Sequence, residues 1–126
     1  MIHLVLQFIN AQMDSLAIPY EFGEWTSAVS YPYSVGECTE VPVMVEDGSE
    51  EHSFILTVFH RGEYMALEEI KEKLKKHFHP VHGLRAAVEG GTIVAFYGGA
   101  FYIPTGEADL KKLQVNLTIK TWKGEF

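Results

Sequence analysis

The chain has 126 residues, of which 47% are hydrophobic and 13% aromatic, and its formal net charge at pH 7 is −7. That length and composition fit one globular domain, residues 1–126, with a core that needs no staples, and they count against a disordered chain. A negative chain has no electrostatic footprint for a phosphate backbone, and no apolar run nears the roughly 20 residues of a membrane span, so neither nucleic acid nor membrane is expected as a partner.

From Met1 to Leu16, residues Ile2, Leu6, Ile9, Met13 and Leu16 fall on one helical stripe with Val5 at its edge. A smaller stripe, Leu4, Phe8 and Ala11, admits two readings. Either the helix is buried on two sides, or Leu4 and Phe8 meet a neighbouring subunit. The chain then turns aromatic and punctuated. Pro19, Gly23, Pro32, Gly36, Pro42 and Gly48 divide it into extended pieces over Tyr20–Thr26, Pro32–Glu40 and Val43–Glu46, with a turn at Asp47-Gly48.

Between Glu51 and Phe78 a period of two gives way to one near 3.6. Phe54, Leu56 and Val58 share one face of a strand, and Ser53, Ile55, Thr57 and Phe59 share the other, a pattern expected inside a sheet. Leu67, Ile70, Leu74 and Phe78 form the apolar stripe of a helix that turns Glu68, Glu72, Lys75 and Lys76 to solvent. Beyond Pro80, Leu84–Glu89 and Thr92–Tyr97 read as a hairpin turning at Gly90-Gly91. Gly98-Gly99 predicts a bulge or bend before Ala100–Ile103. Leu113, Val115, Leu117 and Ile119 alternate with polar residues in a last, half-buried strand. The expected class is α+β: a mostly antiparallel sheet with an N-terminal helix and a central amphipathic helix packed on it.

Chemistry-bearing residues are sparse. The sole cysteine, Cys38, has no internal disulfide partner and no nearby base to activate it. The opening MIHLVLQF lacks the features of a secretory signal, which points to a reduced, intracellular setting. Asn116-Leu117-Thr118 matches a glycosylation acceptor but falls in a predicted strand. His77, His79 and His82 lack the further ligand and supporting shell of a metal site. His77 is expected to cap its helix and the other two to lie in solvated loop. His60 and Glu63 at a strand end form no more than an isolated pair, the glycine pairs match no phosphate-binding motif, and the acidic run Glu46–Glu51 lacks the ligand spacing of a calcium loop. No enzyme activity, metal or cofactor is expected.

The order of elements carries a resemblance. An N-terminal helix, Pro32-Tyr33 with Gly36-Glu37 opening an extended pair, Glu46-Asp47-Gly48 before the central strand, the helix Leu67–Phe78 and the last strand Leu113–Trp122 together resemble the small tail-terminator and head–tail joining proteins of long-tailed bacteriophages and prophages. The similarity runs from about Ile18 to Trp122 and rests on short motifs. It implies a structural subunit that forms a ring, typically hexameric, at the head-proximal end of the tail tube. There the ring stops tube growth and joins the tube to the neck proteins, in the virion or, during assembly, in the host cytoplasm. It carries over no catalytic residue.

Charge is unevenly spread: residues 1–63 hold ten acids against one base, a net −9, and residues 64–126 hold seven acids against nine bases, a net +2. A closed ring needs a heterologous contact between two unlike surfaces. Acids Glu37, Glu40, Glu46, Asp47, Glu50 and Glu51 against Lys71, Lys73, Lys75, Lys76, Lys111 and Lys112 supply such a pair, with apolar area from Leu4, Phe8 and Trp25. The alternative is a small acidic immunity protein whose N-terminal half blocks a basic toxin.

Overall fold

In the computed structural model, which describes residues 2–26, 28–41, 50–88 and 90–123, the elements follow in the order α1 (Ile2–Ser15), β1 (Tyr20–Phe22), β2 (Tyr33–Val41), β3 (Glu50–Arg61), α2 (Tyr64–His77), β4 (Leu84–Val88), β5 (Gly91–Ile103) and β6 (Leu110–Lys123). The strands form a six-stranded sheet ordered β1-β2-β3-β6-β5-β4. Every neighbouring pair is antiparallel except β1 with β2. The α+β class and the placement of both helices are as the sequence predicts.

The alternation in β3 positions the core. Phe54, Leu56 and Val58 are fully buried and lie opposite Leu117, Val115 and Leu113 of β6, so two adjacent strands present one continuous apolar strip. Both helices lie on that strip. From α2 it receives Leu67, Leu74 and, just past the helix end, Phe78. From α1 it receives Val5, Ile9 and Met13, all fully buried, and Phe8. The helix is therefore turned from its expected orientation: Val5 is central, not marginal, while Leu6 and Leu16 are only partly buried. Turning Phe8 inward hides more apolar surface than turning Leu6 inward would, which favours this rotation. The helices meet where Lys73 Nζ donates to the Leu16 carbonyl (3.1 Å) and His77 Nε2 lies 2.7 Å from Gln12 Oε1.

Two glycines are required by geometry. A Cβ on Gly36 would sit 2.5 Å from the Phe54 ring and 2.7 Å from the Tyr20 hydroxyl, so only glycine lets these aromatic rings close over β2. Gly99, at φ 115°, carries the extra residue of a β-bulge, because Tyr97 pairs with Leu117 but Ala100 pairs with Val115. Inward residues on β5 are accordingly Ile93, Ala95 and Tyr97 before the bulge and Ala100 and Tyr102 after it.

Several boundaries differ from expectation. The predicted strand Tyr20–Thr26 shrinks to Tyr20–Phe22, which ends at Gly23 with φ 85°. The hairpin turns one residue earlier than expected: Gly90 has φ 81° and Gly91 already pairs with Val88. Val43–Glu46 and Asp47-Gly48 lie outside the described residues. His77 does not act as a cationic cap, since burial pushes its imidazole below the ordinary range and the helix is closed by the Phe78 N–H donating to the Leu74 carbonyl (2.8 Å). His79 is held as well, its Nδ1 accepting the N–H groups of Val81 and His82 at 3.1 Å each.

Leu74→Ala should cost about 2–5 kcal/mol in urea unfolding, because it opens a cavity beneath a fully buried position. A loss below about 0.5 kcal/mol would place the helix on another face. The His77 ring binds its proton more weakly in the folded chain, so the unfolded chain takes up more protons as pH falls and stability drops. His77→Gln should flatten the decline of the urea midpoint between about pH 7 and about pH 5, and an unchanged slope would refute that linkage.

Candidate functional site

Strand alternation gives the sheet a second face. Among the described residues no helix lies on it. Its middle is uncharged and of mixed polarity: Thr57 faces Gln114, Ile55 faces Asn116, and Ser53 faces Thr118 across β3 and β6. Charges stand at its margins, with Glu37 on β2 and Glu51 on β3 toward one side, Lys112 and Lys120 on β6, and Arg85 on β4. Phe101 on β5 is 49% exposed there.

One end of this face carries an aromatic cluster. Tyr33 stacks on Phe59 with centroids 5.1 Å apart, and Trp25 and Tyr31 flank Tyr33 at 4.9 and 5.5 Å. Two cations lie over the rings, Arg61 over Tyr31 at 5.6 Å and Lys112 over Phe59 at 5.5 Å. Arg61 also ties three segments together, as its Nε donates to the Tyr31 hydroxyl (3.2 Å) and its guanidinium pairs with Glu107 (3.1 Å) and Asp109 (3.0 Å). The bond to the Tyr31 hydroxyl, followed by those to Asp109 and Glu107, raises the Arg61 pKa, and the Arg61 guanidinium holds the Asp109 carboxyl below its ordinary range. These groups are exposed, so each ion pair contributes little alone, and their effect is to fix the loop between β5 and β6 against the end of β3.

On the helix side, Lys71 pairs with Glu68 at 2.8 Å, and Glu68 also accepts a hydrogen bond from the Tyr102 hydroxyl, which lies within reach because the bulge turns Tyr102 inward. The Glu68 carboxyl is held below its ordinary range, first by the Lys71 hydrogen bond and then by that from Tyr102. Tyr64 packs edge-on against Tyr102 at 4.9 Å, and Lys111 lies 5.0 Å above the Tyr64 ring while donating to the Ala108 carbonyl. The groove there, about 450 Å³, is lined by Tyr64, Tyr102, Thr105, Glu107, Lys111 and Lys112. Among the described residues, no three His, Cys, Asp or Glu side chains gather as metal ligands would.

The residues expected at a subunit contact scatter. Phe8, at 6% exposure, belongs to the subunit's own core, so Phe8→Ser would disturb the fold and not an interface alone. Leu4 of the same stripe stays partly exposed, and Trp25 is half-buried on Tyr33. Glu46 and Asp47 lie outside the described residues. Glu50 and Glu51 point to opposite faces, as successive strand residues must, and lie at the end of β3 far from Lys111 and Lys112, which face His60 and Phe59. Lys71 is engaged with Glu68, whereas Lys75 is exposed on α2.

Sequence reasoning missed a groove at the sheet edge. It has a volume of about 310 Å³ and is lined by Leu4, Gln7, Phe8, Ala11 and Gln12 of α1 and Ala86, Ala87 and Val88 of β4. The Leu4, Phe8 and Ala11 stripe was its visible half. The other half depends on β4 being an outer strand, which chain order does not reveal.

Arg61→Met should leave the circular dichroism spectrum unchanged while speeding amide exchange through Glu107–Asp109 in a mass-spectrometric measurement, because the Glu107 and Asp109 contacts go together. Unaltered exchange there would mean that the loop is held by its backbone alone. No family model matches the sequence, and no curated protein matches it.

Proposed function

We propose that this chain is a structural subunit of a long-tailed phage or prophage, a tail-terminator or head–tail joining protein that assembles with copies of itself into a ring capping the tail tube. The observation that carries the reading is the open sheet: one broad face of mixed polarity without a helix, and two outer strands, β1 and β4, with no further strand beside them among the described residues. Unpaired strand edges and partly apolar faces are surfaces that neighbouring subunits cover. The order of elements, helix, extended pair, central strand, helix and long last strand, supports the same reading. The tube and the neck proteins would be its other partners, and the role assigns no catalytic residue, cofactor, nucleic acid or membrane.

Light scattering on the full chain, with negative-stain images, is the test. A ring-shaped particle several times the 14.2 kDa chain mass is expected, alone or on tail tubes. A chain that stays monomeric in both settings, or that instead forms a one-to-one complex with a basic protein as an immunity factor would, overturns the reading.

A further inference from the structure

We propose that two copies of this chain pair about a twofold axis, the free edge of β4 in one running antiparallel to the same edge in the other and centred on Ala86. The inference goes beyond the ring reading, because it uses one surface twice and leaves free the unlike surfaces that close a ring.

The outward atoms follow from the sheet's own bonds. On β2, the Ser34 N–H donates to the Pro19 carbonyl and the Gly23 N–H donates to the Gly36 carbonyl, so even-numbered residues there bond to β1. Parity then alternates strand by strand. Odd residues of β2 bond to β3, even residues of β3 to β6, even residues of β6 to β5, and odd residues of β5 before the bulge to β4. Leu84, Ala86 and Val88 therefore bond inward, and the N–H and C=O groups of Arg85 and Ala87 point out of the sheet with no partner among the described residues. The two edges are unequal. β1 is three residues long between Pro19 and Gly23, whereas β4 has no proline, bulge or inward charge to block a neighbour.

A second copy fits this edge in one register. With Ala86 opposite Ala86, Arg85 lies opposite Ala87 in both directions, and those two pairs exchange four N–H to C=O bonds that use every outward group of both residues. An axis centred on Arg85 would set two guanidinium groups directly opposite, and one centred on Ala87 would carry Arg85 past the end of the neighbouring strand. On the helix side the chosen register puts Leu84 opposite Val88, both packed on the core, so apolar groups meet across the axis. Charge admits a like copy here. The chain carries −7, yet residues 1–13 hold no Asp, Glu, Lys or Arg, and the groove between α1 and β4 has no charged side chain in its lining. Copies that repel elsewhere can close along this neutral margin.

A cysteine at the axis makes the test direct. In a Cys38→Ser background, Ala86→Cys sets two cysteines face to face with Cα atoms about 4.5 Å apart, within disulfide reach. Mild oxidation should then give covalent dimers of twice the 14.2 kDa chain mass. Arg85→Cys in the same background leaves its pair about 8 Å apart and should cross-link roughly ten-fold more slowly. Ala87→Pro removes two of the four bonds, one from each copy, and should raise the dimer dissociation constant about ten-fold in sedimentation while the circular dichroism spectrum stays unchanged, since that N–H bonds nothing within the described chain. Faster cross-linking by Arg85→Cys than by Ala86→Cys would overturn the proposal. So would a wild-type chain that stays monomeric at every concentration, which would leave the edge to a foreign extended segment. Rings without Ala86→Cys cross-links sink this contact and spare the ring reading, whereas cross-linked pairs that never form rings, alone or on tail tubes, do the reverse.

Discussion

The structure depends on the pairing of β3 with β6, twelve residues against twelve in one unbroken antiparallel register. Because side chains alternate at every step, this single pairing decides for both strands which residues face the helices and which face away. It places Phe54, Leu56 and Val58 against Leu113, Val115 and Leu117 and so creates the floor on which α1 and α2 rest. Slipping it by one residue would put Ile55, Thr57 and Asn116 under the helices. Everything else attaches to this pair: β2 and β1 on one flank, β5 and β4 on the other.

The same pairing explains how much could be read from sequence. The faces of β3, α2 and β6 were legible because each carries its period within one segment, and the bulge at Gly98-Gly99 announced itself as two glycines inside an apolar strand. What periodicity cannot give is which strands become neighbours. β3 and β6 are brought together across α2, β4 and β5, and that order makes β4 an edge. The rotation of α1 was also hidden, since two stripes on one helix leave the buried one to be chosen by what lies beneath. His77 misled for a related reason: a histidine at a helix end suits the dipole, but here α1 arrives beside it with Gln12 and burial decides its charge.

On the surface, the charges do not keep the grouping that they have along the chain. Acids and lysines grouped in sequence separate in space, Glu51 lying opposite Lys120 at one end of the sheet and Lys111 and Lys112 at the other. Several of the lysines are already occupied within the chain, by Glu68, by the Leu16 carbonyl and by the rings of Tyr64 and Phe59.

The bulge in β5 bears on how the sheet tolerates change. On either side of Gly98-Gly99 the strand obeys opposite parity, odd residues inward before it and even residues inward after. A single-residue deletion at that point would remove the bulge and leave one residue opposite Asn116, so Ala100 would still pair with Val115 and Tyr102 would keep its place beside Glu68. The two halves of β5 are in effect separate frames joined by one surplus residue, and the strand can lose that residue without exchanging its faces.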